Sequence, residues 1–194
     1  PYVSTLMGHE RVIARNNYFN MIGSYGNREA NWAVQNCDLL IVVGARLDVR
    51  QTGSDVEDFA RQAHIVQIDI DPSQLGNRVQ ADLNMCVTAE SFFRAFPLKE
   101  VAFPNLDKNW VTELSIRRDR AQHNEYADWK ISPSEIFKKL NRILAKHSID
   151  YVCDVGNHQM WAAQSLRLSS NQAVHYSGGM GAMGFALPVA LGIA

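Results

Sequence analysis

Cysteine is scarce in this sequence: Cys37, Cys86 and Cys153 stand far apart, odd in number and without a CxxC pair. That speaks against a disulfide framework or a zinc ribbon and fits a reducing cytosol. An excess of charge of one sign is lacking as well. The 19 Lys and Arg against 20 Asp and Glu leave a formal charge of -1, so neither nucleic acid nor an anionic membrane is an expected partner. No apolar run approaches the ~18 residues that span a bilayer, and no signal peptide is visible. There is no internal repeat and no low-complexity tract. The rest is ordinary globular composition, 46% hydrophobic and 20% charged over 194 residues, enough for one large domain or parts of two. The sequence opens on Pro1 and stops at Ala194 inside an apolar helical pattern, so both ends read as cut.

Strand and helix signals alternate. Asp38-Leu-Leu-Ile-Val-Val-Gly44 is a continuous apolar run ending in glycine, the pattern of a strand buried on both faces. Before it, Asn27 to Asn36 suits a helix with Ala30, Ala33 and Val34 on one side. His64 to Asp71 predicts a second buried strand, and Asp71 can cap the next helix with Pro72 at its first position. From Phe96 to Ile131 the alternation stops. Pro97 and Pro104 break the chain, and the polar stretch 109–130 reads as a partly helical linker on the surface. Ser132-Pro-Ser-Glu135 has the form of a capping box, with Ile136, Leu140, Ile143 and Leu144 marking one face of the helix it opens. Tyr151 to Gly156 and Ala173 to Tyr176 read as strands, Gln159 to Leu168 as a helix. Phe185 to Ala194 predicts a helix of small and apolar residues that must be buried. Together these signals predict an α/β fold with parallel, doubly wound sheets in two units, residues 1–104 and 132–194, joined by a linker at 105–131.

Three connections place glycines or an open loop between a strand and a helix: Gly23 to Gly26, Gly156 to Gln159, and Gly178 to Gly184. Such turns aim backbone N–H groups and a helix N-terminus at an anion, so a diphosphate is the natural ligand. Tight packing is the blander use of the same glycines. Asp69 and Asp71 end a strand where an acid can bind ribose hydroxyls, although Asp71 as a helix cap explains that residue equally well. Arg46 and Arg50 flank Asp48, either as surface ion pairs or as phosphate ligands. His158 beside a helix start is a base, a ligand or a local hydrogen bonder. Met180 and Met183 are by default core residues. On the residues alone, a nucleotide-binding module without catalysis and a DxD metal-dependent glycosyltransferase also stay open.

Two segments narrow the field. Gly156-Asn-His-Gln-Met-Trp-Ala-Ala-Gln164 and Ser177-Gly-Gly-Met-Gly-Ala-Met-Gly-Phe-Ala-Leu-Pro188 closely resemble those that open the diphosphate-binding domain of acetolactate (acetohydroxyacid) synthases, which depend on thiamine diphosphate (ThDP). Upstream, Tyr25 to Arg46 and Gln67 to Gly76 resemble the FAD segments of the same family's central domain. Order and spacing agree, and the likeness covers most of the chain outside the linker. The chain departs from the family pattern at Asn157, where Gln is usual, and at Tyr25-Gly26, where His-Gly is usual. It departs again at Leu47-Asp-Val-Arg-Gln-Thr-Gly53. These differences leave room for glyoxylate carboligase or sulfoacetaldehyde acetyltransferase.

The resemblance implies roles residue by residue. Gly156, Asn157, His158 and Gln159 would hold ThDP at its diphosphate end, and Gly181 would accept a hydrogen bond from the aminopyrimidine amine. Met183 would wedge between the two rings and keep thiamine bent, a large proximity effect because the cofactor removes its own carbon-bound proton. Tyr25, Gly26, Asn27, Arg46, Asp69 and Asp71 would serve FAD. By the same resemblance the Mg2+ ligands lie beyond Ala194 and the activating glutamate before Pro1, so this stretch alone is expected to be inactive. The substrates implied are 2-keto acids such as pyruvate. The family's active site lies between two subunits, so the resemblance implies a homodimer or homotetramer, expected in the cytoplasm, and the family admits a regulatory subunit.

Overall fold

A computed structural model describes residues 1–12, 17–96, 108–124 and 131–194. Every strand in it pairs in parallel. β1 (Tyr2–Ser4) lies beside β2 (Tyr18–Met21). β3 (Leu39–Val43), β4 (His64–Asp69) and β5 (Leu83–Cys86) form a three-stranded sheet in that order. β6 (Ile149–Cys153) pairs with β7 (Gln172–Tyr176). Parallel neighbours need crossover connections. Seven α-helices are described: α1 (Arg28–Gln35), α2 (Val49–Thr52), α3 (Ala89–Ala95), α4 (Lys108–Asn124), α5 (Pro133–Leu144), α6 (Asn157–Ser165) and α7 (Ala186–Ile193). Among the described residues no sheet joins the first half of the chain to the second.

The apolar run at β3 was expected to be buried on both faces, yet Leu39 is exposed and only Val42 is fully covered. β3 is the edge of its sheet. The central strand β4 is the one that is buried, and its Gln67 is satisfied by the Gly76 N–H it accepts and the Gln74 carbonyl it donates to. Asp71 does cap a turn, accepting the Ser73 N–H at 2.9 Å with Pro72 at the first position, but the turn is a short 3-10 helix.

The polar stretch after Pro104 forms a seventeen-residue helix, α4, docked on α1. Leu114 is wholly buried against Phe19 and Ala33, Trp110 stacks on Trp32, and the Arg117 guanidinium lies 4.4 Å from the Trp32 ring centre. A few large rings and a cation hold it, without a continuous apolar stripe, so the sequence pattern understated it. Tyr126 and Trp129 lie outside the described residues.

Two expectations for the second half need correction. α5 starts at Pro133, but Ser132 Oγ bonds Ser134 Oγ rather than a first-turn N–H, and Glu135 takes Lys138. Nearer partners compete for both halves of the capping box. The predicted apolar face of α5 is turned as well: Ile136 and Ile143 are exposed, and Phe137 packs inward. α7 was expected to be buried, yet Leu187 and Leu191 are more than 70% exposed. Among the described residues α7 leans chiefly on β6, and one strand cannot cover a helix that is apolar all round.

One core cluster crosses between the halves. Met21 of β2 packs with Ala162, Ala163 and Leu166 at α6 and with Val174 and Tyr176 of β7. Among the described residues no helix is long and apolar enough to cross a membrane.

Candidate functional site

β6 and β7 are in register, Cys153 opposite Tyr176, so segments 154–158 and 177–184 leave the same end of one parallel pair. Ligands of open α/β sheets gather outside carboxyl strand ends. Gly156 caps α6 at φ 156° and ψ −178°, a region open essentially only to glycine. A Cβ there would also stand 3.0 Å from the His158 ring. No side chain caps α6 at Gly156, and Gly156, Asn157 and His158 are all exposed. The helix start therefore offers its N–H groups to solvent or to an anion. Gln159 is buried, and its amide nitrogen has no hydrogen-bond partner among the described residues.

The loop 177–184 is tied at both ends. Ser177 accepts the Gly181 N–H on its carbonyl and the Ala182 N–H on its hydroxyl, at 3.0 and 2.9 Å. Asp154, which the sequence reading passed over, accepts from Val155, Gly184 and Ala186, all backbone N–H groups. The Ala186 hydrogen bond above all holds its carboxyl below the usual range. Its signal was there, an acid at a strand end two residues before the glycine that caps α6. Gly181 sits at φ 64° with open space around it. Met183 is 87% exposed and Met180 93%. The core role taken as their default is thereby corrected. Among the described residues both thioethers are left almost wholly exposed.

In the first half, a cavity of about 360 Å3 lies where the loops after β2 and β3 meet the second half. Tyr25, Gly44, Arg46, Arg50, Met160 and Gly178 are among its lining residues. The structure thus brings Tyr25 and Arg46 together with the start of the glycine loop. Arg46 also lies 3.5 Å from Asp48, the cap of α2. Gly26 and Asn27 are built into the turn itself: a Cβ on Gly26 would come within 2.5 Å of Met21 O, and Asn27 bonds the Met21 N–H and the Gln164 carbonyl. Asp69 and Asp71 do not line the cavity. Asp69 accepts the Asp71 N–H, and hydrogen bonds from Ser73 keep the Asp71 carboxyl below its ordinary range. Gln51, read in the sequence only as part of the departing stretch 47–53, lines the cavity and has a buried side-chain oxygen without a partner among the described residues. Among those residues no three His, Cys, Asp or Glu side chains cluster as a metal site.

Comparison with known proteins agrees with this geometry. Residues 1–96 match the thiamine pyrophosphate enzyme central domain, and residues 154–194 match the C-terminal TPP binding domain. The chain is 35% identical over 201 residues to the acetolactate synthase large subunit of Cyanidium caldarium. It is 36% identical over 198 residues to that of Pyropia yezoensis. Each alignment covers 99% of this chain and 33% of the relative. The acetolactate synthase of Mycobacterium leprae is 34% identical over 199 residues, again across 99% of this chain and 32% of the relative. The chain thus spans about a third of the length of the curated relatives it matches. With a central domain in its first half and a TPP binding domain around its paired glycine loops, the chain belongs to the thiamine pyrophosphate enzymes.

Proposed function

We propose that this chain is part of an acetolactate synthase-like transferase that decarboxylates pyruvate and passes the two-carbon unit to a second 2-keto acid. The observation that carries the reading is the pairing of an uncapped helix start at Gly156 with the open loop 177–184 on the neighbouring strand. The residues fit ThDP. The N–H groups at Asn157 and His158 face outward for a diphosphate, and the buried Gln159 amide is left to bond toward the same end. The exposed Met183 has space for a ring on the loop. When bound, thiamine supplies the electron sink for decarboxylation. The chain's own residues orient it: Gly181 presents a carbonyl, Met183 a hydrophobic prop, and Asp154 the tether that keeps both in place.

FAD is assigned to the first-half cavity, where Arg46 and Arg50 supply positive charge and Tyr25 an exposed ring. Gly26 and Asn27 shape the turn there, while Asp69 and Asp71 stand at the carboxyl edge of the same sheet beside Gly44. Mg2+ has no ligand set among the described residues, so no step is derived through it, and its ligands are assigned to chain beyond this stretch. We place the enzyme in the cytoplasm as a homodimer or homotetramer, open to a regulatory subunit. The departures at Tyr25 and Asn157 keep another ThDP carboligase, such as glyoxylate carboligase or sulfoacetaldehyde acetyltransferase, as the second reading.

The test is titration of the full-length protein with ThDP and Mg2+, followed by product analysis with pyruvate and with glyoxylate. Saturable ThDP binding with acetolactate as product supports the proposal. Binding with turnover of glyoxylate alone favours the second reading, and no ThDP binding sinks both.

A further inference from the structure

The 3-10 turn Gly8–Arg11 follows β1 and belongs to the first half, yet its side chains close on the second. Glu10 Oε1 accepts the backbone N–H of Tyr176 at 2.8 Å. His9 Nδ1 lies 2.9 Å from the Tyr176 hydroxyl, and His9 Nε2 lies 3.3 Å from the Leu166 carbonyl oxygen. A carbonyl can only accept, so Nε2 carries the proton and Nδ1 accepts from the tyrosine. The two rings also stack, with centroids 6.0 Å apart, and both residues are almost wholly buried. Tyr176 is held by its main chain and by its hydroxyl at once.

Tyr176 is the last residue of β7, and Ser177 after it carries the hydrogen bonds that shape the loop. The loop bearing Met183 thus hangs from two anchors. Asp154 holds its far end from within the second half, and the 3-10 turn holds its near end from the first. The turn is also continuous with Thr5, Leu6 and Met7, which line the first-half cavity, and the Met7 thioether lies so close to Gly178 that a Cβ there would have to displace it. We propose that His9 and Glu10 are positioning residues, a clamp by which the first half sets the near end of the thiamine loop. This inference rests on the ThDP reading of that loop. The Glu10 bond is of the charge-assisted kind, stronger than a neutral one. Burial takes His9 down to about 4, which keeps the ring neutral and leaves Nδ1 able to accept from the tyrosine.

If these contacts were only glue between halves, breaking them would loosen the seam without a preference for the loop. Hydrogen exchange on the full-length protein separates the cases. Without cofactor, Glu10→Ala and His9→Phe should raise exchange at 177–184 roughly tenfold, the worth of one such hydrogen bond, with β3 and β4 unchanged. Glu10→Gln keeps an acceptor and should stay within ~3-fold of wild type. With ThDP and Mg2+, kcat should fall roughly tenfold while the ThDP Kd moves less than ~3-fold, because the helix start at Gly156 is untouched. Should Glu10→Ala not fold, His9→Phe against Glu10→Gln reads the same contrast. Unchanged exchange at 177–184, or kcat and Kd changing in step, overturns the clamp in a protein that still binds ThDP. A wild-type protein that binds no ThDP overturns the functional reading, and the thiamine role of the clamp with it.

Discussion

The turn Gly23 to Gly26 and the loop Ser177 to Gly184 both join a strand to a helix through glycines, and they use them for opposite ends. In the first, glycine closes space. Gly23 exchanges two hydrogen bonds with the Asn31 side chain, Ser24 N donates to the Arg50 carbonyl, and a Cβ on Gly26 would strike the backbone of Met21 and Ile22. In the second, past Gly178 against Met7, glycine keeps space open. Among the described residues nothing lies within 4 Å of where a Cβ on Gly179, Gly181 or Gly184 would stand. A glycine-rich connection is therefore ambiguous until its surroundings are known. Where the backbone is saturated it is packing, and where the walls are missing it is room for a ligand.

The largest effect should come from filling the closed turn. Gly26→Ala must displace main chain rather than a pliable side chain, and should cost about 4 kcal/mol, read from the denaturant midpoint. A loss under ~1 kcal/mol would remove the contrast with the open loop.

The seam behind the closed region should respond to acid. His9 falls to about 4 in the folded chain, mainly through burial with a smaller push from Arg167, against 6.5 unfolded. The unfolded chain takes up a proton between those values and the folded one does not. Stability from this group is complete above pH 6.5 and drains away as pH falls toward 4, about 3 kcal/mol in all. The difference in pH slope between wild type and His9→Phe across that window measures it. Equal slopes would mean that His9 is not the acid-sensitive group of the seam.

On the open side, the proposed role of Met183 makes Met183→Ala the loss of a prop for the cofactor, at an exposed side chain. In the full-length enzyme with saturating ThDP and Mg2+, kcat should drop ~100-fold, as misplacement by ~1 Å allows. The thermal midpoint should scarcely move, as expected for an exposed side chain. Near-normal kcat in the folded variant would end the role of this methionine. Asp154→Ala unties the far end of the same loop from the Gly184 and Ala186 N–H groups and should lower kcat roughly tenfold with little change in ThDP Kd. The smallest effect is expected for Gly179→Ala, under ~0.5 kcal/mol in stability. A large penalty there would show that the loop is closed after all.

Much of this protein could be read from one line of residues. The apolar runs at 38–44, 64–71, 151–156 and 173–176 correspond to β3, β4, β6 and β7 to within a few residues. The resemblance of segments 156–164 and 177–188 to the acetolactate synthases led to the family. β1, β2 and the docking of α4 stayed hidden because short strands and a helix held by a few rings leave no periodic signal. The burial of α7 was misjudged for a related reason: apolar residues say that a helix needs a cover, not that this chain supplies one. Local order was determined by the sequence itself, since strand runs, glycine turns and helix starts follow from short-range sterics and hydrophobicity. Tertiary structure alone decided which glycine turn is sealed and which is open. It alone set Asp154 under the loop and carried His9 and Glu10 across more than 160 positions to Tyr176. Those contacts are made through space between elements remote in sequence, and no local pattern encodes a partner that far away.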